Sequence, residues 1–106
     1  LWTEPFQVPF EEIEHTADIA FLVYGKDLVS LYRHAVWALA FTFPSFLVFA
    51  ERKLSLSSLD EVIIALNEAL GLADAEVGCP FKAVSFHGEI EQKGENFIQW
   101  EMIVDV

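Results

Sequence analysis

The stretch that decides the fold is residues 19–39, IAFLVYGKDLVSLYRHAVWAL. It opens with an apolar run closed by Gly25, which is typical of a buried strand. Asp27 occupies a helix N-cap position, because its carboxylate can accept a backbone N–H of the first turn. Apolar residues then recur at helical spacing: Leu28, Leu31, Tyr32, Ala35, Val36 and Leu39. The stretch predicts a strand followed by an amphipathic helix that ends before Pro44.

The segment before this unit predicts another strand. Residues 10–14 alternate loosely, and residues 15–18 form the connection or a bend. On the helix, Arg33 and His34 mark the polar side, so His34 is interpreted as a solvated surface histidine.

The middle of the chain predicts more strand and a second helix. Residues 46–50 and 53–56 indicate one or two strands. Ser58 and Glu61 match a capping box, in which each side chain satisfies a free backbone N–H. Gly71 is a plausible helix stop, after a face made of Leu59, Val62, Ile63, Leu66 and Leu70.

The last quarter of the chain predicts a hairpin. Residues 82–91 lead into a turn at 93–95, and residues 96–106 return. Alternation puts Ile98, Trp100, Met102, Val104 and Val106 on one face of the returning strand. The whole sequence therefore predicts a single α+β domain over residues 1–106, a mixed or antiparallel sheet with two amphipathic helices on one face.

Composition narrows the partners. Seventeen Asp and Glu against six Lys and Arg give a net charge of −11, which would repel a phosphate backbone, so direct nucleic-acid binding is not expected. A basic protein or divalent cations suit this charge better. The uncharged run 35–50 is too short to span a bilayer and contains Pro44, so no membrane segment is expected. The single cysteine fits a reducing compartment such as the cytoplasm.

Oxygen and nitrogen donors stand at the predicted strand ends. They are Glu14, His15, Asp18, His87 and Asp105. Aspartates beside a free terminal carboxylate would suit Mg²⁺, Mn²⁺ or Ca²⁺. An Asp in such a loop can equally hydrogen-bond neighbouring backbone amides, so both interpretations stay open on the residues alone.

Four segments resemble the archease family. Residues 14–20, EHTADIA, followed by YGKDL at 24–28, look like its N-terminal signature. LNEAL at 66–70 is similar to the second-helix motif, KAVSFHG at 82–88 to the Lys-Ala strand, and residues 100–106 to the closing strand.

The resemblance implies a non-enzymatic activator of an RtcB-type RNA ligase, which promotes guanylylation of the ligase and its turnover in tRNA splicing or RNA repair. It implies a divalent metal held by Asp18 and Asp105, with the carboxylate of Val106 as a possible third contributor. Lys82 matches a lysine of the activator function, although strand parity puts it on the apolar side. His15 and His87, together with Glu14, are candidates for supporting positions around the metal.

Two departures from the family are visible. Residues 71–81 are shorter than the corresponding family segment, and Ala65 stands where a tryptophan is common. Two other classes of function remain as hypotheses. One is a small metal-dependent hydrolase that uses the same acidic and histidine cluster around a metal-activated water. The other is an interaction module in which these carboxylates only cap turns.

Overall fold

The structure, a computed structural model, describes residues 10–13, 19–51, 53–78, 83–86, 91–94 and 97–105. Five strands, two α-helices and one 3₁₀ helix follow one another in these parts of the chain. In order they are β1 (Phe10–Ile13), β2 (Ile19–Gly25), α1 (Leu28–Thr42), the 3₁₀ helix (Pro44–Glu51), α2 (Leu59–Val77), β3 (Ala83–Phe86), β4 (Glu91–Gly94) and β5 (Phe97–Asp105).

The strands form one antiparallel sheet. Its order is β1-β2-β5-β3, and β4 also pairs with β5. β2 and β5 are paired along the whole of β2, from Ile19 opposite Val104 to Gly25 opposite Ile98. The predicted α+β class is confirmed, because both α-helices pack with the sheet around one core.

The predicted alternation of the last strand is confirmed. Ile98, Trp100, Met102 and Val104 are buried, whereas the residues between them are partly exposed. They pack with buried residues of β2 and of both α-helices, among them Phe21, Val23, Leu31, Leu39, Val62 and Leu66. The predicted outgoing strand, residues 82–91, contains β3 and only the first residue of β4. β4 continues to Gly94, so the turn predicted at 93–95 begins too early.

Helix α1 begins and ends where the sequence predicts. The Asp27 carboxylate accepts a hydrogen bond from the Ser30 backbone N–H at 2.8 Å. At the other end, the Phe43 N–H donates to the Leu39 carbonyl at 2.9 Å, and Pro44 follows. These local contacts set the two ends of α1.

The prediction of strands at residues 46–50 and 53–56 is wrong. Residues 44–51 form the 3₁₀ helix, and residues 53–57 have no regular secondary structure. A short apolar run carries no periodicity that separates strand from helix, whereas Pro44 suits the first turn of a helix. Phe46 and Ala50 are buried in the core, and the Tyr32 hydroxyl donates to the Phe49 carbonyl at 3.0 Å, so α1 holds this segment in place.

Helix α2 has the predicted N-terminus but a different end. The Glu61 N–H donates to the Ser58 hydroxyl at 3.3 Å, while the Glu61 carboxylate accepts from the backbone N–H and hydroxyl of Ser57. The prediction that the helix stops at Gly71 is wrong, since α2 continues to Val77. The residue after its end is Gly78, which has a φ of 80°. A glycine inside a helix is tolerated at a cost of about 1 kcal/mol. Only residues 78–82 therefore connect α2 to β3.

Alanine substitutions at two glycines should have opposite effects on stability. A Cβ on Gly25 would lie 2.8 Å from the Leu31 backbone nitrogen, whereas one on Gly71 would meet nothing within 4 Å. Gly25→Ala should lower the free energy of unfolding by about 1–3 kcal/mol, because backbone must move. Gly71→Ala should raise it by about 0.5–1 kcal/mol through helix propensity. Urea unfolding followed by circular dichroism measures both, and equal effects would contradict the close approach at Gly25.

Candidate functional site

Four strand ends meet at one end of the sheet. Ile13, the last residue of β1, is opposite Ala20, near the start of β2. Ile19, the first residue of β2, is opposite Val104, and Asp105, the last residue of β5, is opposite Ala83, the first residue of β3. The antiparallel register therefore gathers the end of β1, the start of β2, the end of β5 and the start of β3.

The residues predicted to form the site flank these strand ends in the chain. Asp105 is described as a backbone position in β5, without its side chain. The others lie outside the described residues: Glu14, His15, Asp18, Lys82, His87 and Val106. Among the residues that the structure does describe, no group of three His, Cys, Asp or Glu could hold a metal ion. Metal binding thus remains a prediction that rests on the flanking residues.

Tyr24 and Glu11 form a polar contact between β2 and β1. The Tyr24 hydroxyl donates to the Glu11 carboxylate at 3.2 Å, and the Tyr24 ring lies against Phe97 with 5.6 Å between centroids. Partial burial, and then the Glu11 charge and hydrogen bond, raise the pKa of Tyr24 to about 12. The neutral phenol is therefore the form that the fold favours.

This contact predicts a loss of stability at alkaline pH. A phenol whose pKa is raised in the folded state stabilises the fold below the unfolded pKa of about 10. That contribution should be lost as the pH rises from there through the folded value of about 12. The difference in unfolding free energy between wild type and Tyr24→Phe should narrow over this range. Glu11→Gln should shift the Tyr24 pKa, followed by NMR of the ring carbons, towards its ordinary value; an unchanged pKa would contradict the contact.

His34 is buried, so its interpretation as a solvated surface histidine is wrong. Its exposed fraction is 2%, and its Nδ1 lies 2.5 Å from the Tyr24 carbonyl oxygen. Because a carbonyl only accepts hydrogen bonds, Nδ1 donates this one. The His34 ring also contacts the Trp37 ring, with 4.9 Å between centroids. His34 therefore links β2 to the indole of Trp37 on α1.

Beside Trp37 lies a surface pocket that the sequence did not reveal. Trp37, Leu47, Val48 and Glu51 line it, and its volume is about 530 Å³. Leu47 and Val48 are 52% and 71% exposed. The sequence analysis placed both in a predicted strand. No pattern in the sequence marks them as exposed, because residues 46–50 are apolar at every position.

The chain belongs to the archease family. The Archease protein family (MTH1598/TM1083) matches residues 10–102, which is most of the chain. Comparisons with curated proteins and with solved structures give no significant match. Membership of this family supports a role as an accessory protein. No helix in the described parts of the chain is long and apolar enough to cross a membrane.

Proposed function

We propose that this archease is a non-enzymatic accessory protein that activates an RtcB-type RNA ligase. In this role it promotes the metal- and GTP-dependent guanylylation of the ligase and its repeated turnover in tRNA splicing or RNA repair. Asp18 and Asp105 would hold a divalent cation, Mg²⁺, Mn²⁺ or Ca²⁺, which they present to the ligase. Lys82 would take part in activation.

The register of β2 with β5 carries this proposal. Asp18 directly precedes Ile19 in the chain, and Asp105 directly follows Val104, the residue opposite Ile19. Consecutive Cα atoms are about 3.8 Å apart and neighbouring strands about 4.8 Å apart. Chain connectivity thus supports an arrangement in which both aspartates belong to the same end of the sheet. Lys82 precedes Ala83, which is opposite Asp105.

The chemistry of these residues suits a hard divalent cation. Carboxylate oxygens are the protein ligands that Mg²⁺ and Ca²⁺ prefer. A cation held there would supply positive charge to the phosphates of a nucleotide. The two aspartates would bind and orient it, and Lys82 would add a further positive charge beside it.

The net charge of −11 supports a basic partner surface. Complementary charge speeds encounter and fixes orientation more than it raises affinity. It also fits a protein that acts on the ligase without competing for the RNA, because an acidic surface repels a phosphate backbone.

A ligase assay tests the proposal. Purified RtcB-type ligase receives GTP and Mn²⁺ or Mg²⁺, with and without this protein, and guanylylation and repeated RNA joining are followed. We expect faster guanylylation and multiple turnovers only when the protein is present. No acceleration of a cognate ligase would contradict the proposal. Hydrolysis of phosphoesters by the protein alone with Mn²⁺, lost in Asp105→Ala, would point to an enzyme instead.

A further inference from the structure

The surface between α1 and the 3₁₀ helix is unusually apolar. Of the four described side chains that line the pocket, only Glu51 is charged. One turn along α1 from Trp37, Phe41 is 75% exposed. Single exposed apolar residues are ordinary on protein surfaces, but a concave cluster with a charge at its rim is typical of an interaction site. We call the cluster Trp37, Leu47, Val48 and Glu51 the Trp37 pocket.

Contacts with buried residues fix the side chains and backbone that form the walls of the Trp37 pocket. His34 lies against the Trp37 ring and is itself tied to the Tyr24 carbonyl. On the other wall, the 3₁₀ helix is fixed by the Tyr32 hydroxyl bond to Phe49 and by the buried Phe46, whose ring contacts Phe49 with 5.0 Å between centroids. Walls fixed in this way lose little conformational freedom when a partner binds, which favours binding.

We infer that the Trp37 pocket docks an amphipathic segment of the partner ligase that carries apolar side chains flanked by Lys or Arg. This inference rests on the proposed function and adds the surface through which the two proteins meet. The apolar side chains would fill the space between Trp37 and Val48, and the flanking cations would lie beside the Glu51 carboxylate.

Charge selects this occupant over a second copy of the chain. Two copies would each bring a net charge of −11 to the contact and a Glu51 carboxylate to its rim. Like charges at such an interface oppose association. A segment with cationic flanks instead meets a protein of net charge −11 at an apolar surface that has the Glu51 carboxylate in its lining. Groove-bound amphipathic helices likewise place their apolar face in an apolar groove.

Two exposed apolar residues provide a matched pair of variants. Val48 lines the pocket and is 71% exposed, whereas Ile64 lies on α2 outside it and is 64% exposed. Val48→Lys and Ile64→Lys change the net charge equally, so a difference between them reports the pocket rather than general attraction. Val48→Ser and Ile64→Ser repeat the comparison without a charge. Both positions are exposed, so thermal unfolding should be nearly unchanged in all four.

Binding is measured against two probes. The first is the purified ligase, and the second is a short helical peptide with Leu on one face and Lys on the other. Val48→Lys should raise the Kd for each probe by about tenfold or more, as expected for a central contact. Ile64→Lys should change it by about twofold at most, as expected for an exposed charge. Val48→Lys should also raise the concentration for half-maximal ligase activation without altering the maximal rate.

The outcomes separate this inference from the proposed function. If the protein activates the ligase but the Val48 and Ile64 variants bind it with equal Kd, the Trp37 pocket is not the docking site, and the proposed function still stands. If the ligase neither binds nor responds, the proposed function fails, and the peptide alone decides whether the pocket takes a cationic amphipathic segment. Absence of peptide binding would overturn the inference. So would a dimer in sedimentation that Val48→Lys dissociates, since the occupant would then be a second copy.

Discussion

Replacing Asp18 with alanine should abolish ligase activation, returning guanylylation to the rate of the ligase alone. The substitution removes one of the two carboxylates proposed to hold the cation, while the core contacts of β2 come from residues such as Phe21 and Val23. Divalent-cation affinity should fall by about tenfold or more, since even groups that only support a metal ligand have effects of that size. Asp105→Ala should give the same result, because both carboxylates are proposed to hold the same ion.

The control for this experiment is Asp60→Ala. Asp60 is an exposed acidic residue in the first turn of α2, so its removal changes the net charge by the same amount. Isothermal titration with Mn²⁺ and Ca²⁺ gives the affinity, and the guanylylation assay gives the activity. Full activation by Asp18→Ala would show that the metal hypothesis is wrong. Equal losses of cation affinity and ligase activation in Asp18→Ala and Asp60→Ala would show that the effect comes from the change in net charge alone.

Replacing Trp100 with alanine should cost about 3–5 kcal/mol of unfolding free energy, as expected for an aromatic residue deleted from a packed core. Trp100 is fully buried at the centre of β5, opposite Val23 of β2. It packs in the core cluster that contains Leu31, Leu66 and residues of both helices. The cavity left by alanine would lie where the two α-helices and the sheet meet.

Trp100→Phe should be much milder, with a loss below about 1.5 kcal/mol. The Trp100 indole N–H is buried and has no hydrogen-bond partner in the described part of the protein. A buried donor without a partner costs about 1–3 kcal/mol, and phenylalanine removes that cost while filling most of the space. Urea unfolding of both variants measures the comparison. A phenylalanine variant as unstable as the alanine variant would mean that the six-membered ring alone cannot fill the site.

Elements with local signals could be predicted from the sequence. Asp27 specifies the start of α1 through a contact three residues away, and Pro44 ends it, so nothing distant is needed. Likewise, the Ser58 cap specifies the start of α2. The alternation in β5 predicted its buried face because one side of that strand meets the helices.

Elements whose conformation depends on tertiary contacts could not be predicted. The run 46–50 is apolar at every position, so only its packing against Tyr32 and α1 decides that it is a 3₁₀ helix.

The burial of His34, in contrast, could have been predicted. His34 lies three residues after Leu31 and one before Ala35, both buried, so helical spacing already put it on the inner side. Its neighbour Arg33 suggested the opposite. α1 is covered so widely that, apart from its end residues Leu28 and Thr42, only a row spaced by four residues is less buried: Val29, Arg33, Trp37 and Phe41.

On the residues alone, a metal site was one of two open interpretations of the donors at the strand ends, and the resemblance was what favoured it. The two aspartates of that site are separated by most of the chain, and no spacing rule connects Asp18 with Asp105. The β2 and β5 register supplies a physical reason for treating them together. The Trp37 pocket had no sequence signal of its own, because it depends on how the 3₁₀ helix turns Leu47 and Val48 outward.

The position of β5 also means that the sheet cannot be completed until the end of the chain is present. β5 lies between β2 and β3 in the sheet, yet it follows every other element in the chain. The pair Ile19 and Val104 closes a loop that contains both α-helices. Loop-closure entropy makes such distant pairings slow to form. Because β2 and both helices precede β5 in the chain, the ribosome synthesises them first. The apolar face that they share would stay exposed to solvent until residues 97–105 emerge and pair with β2.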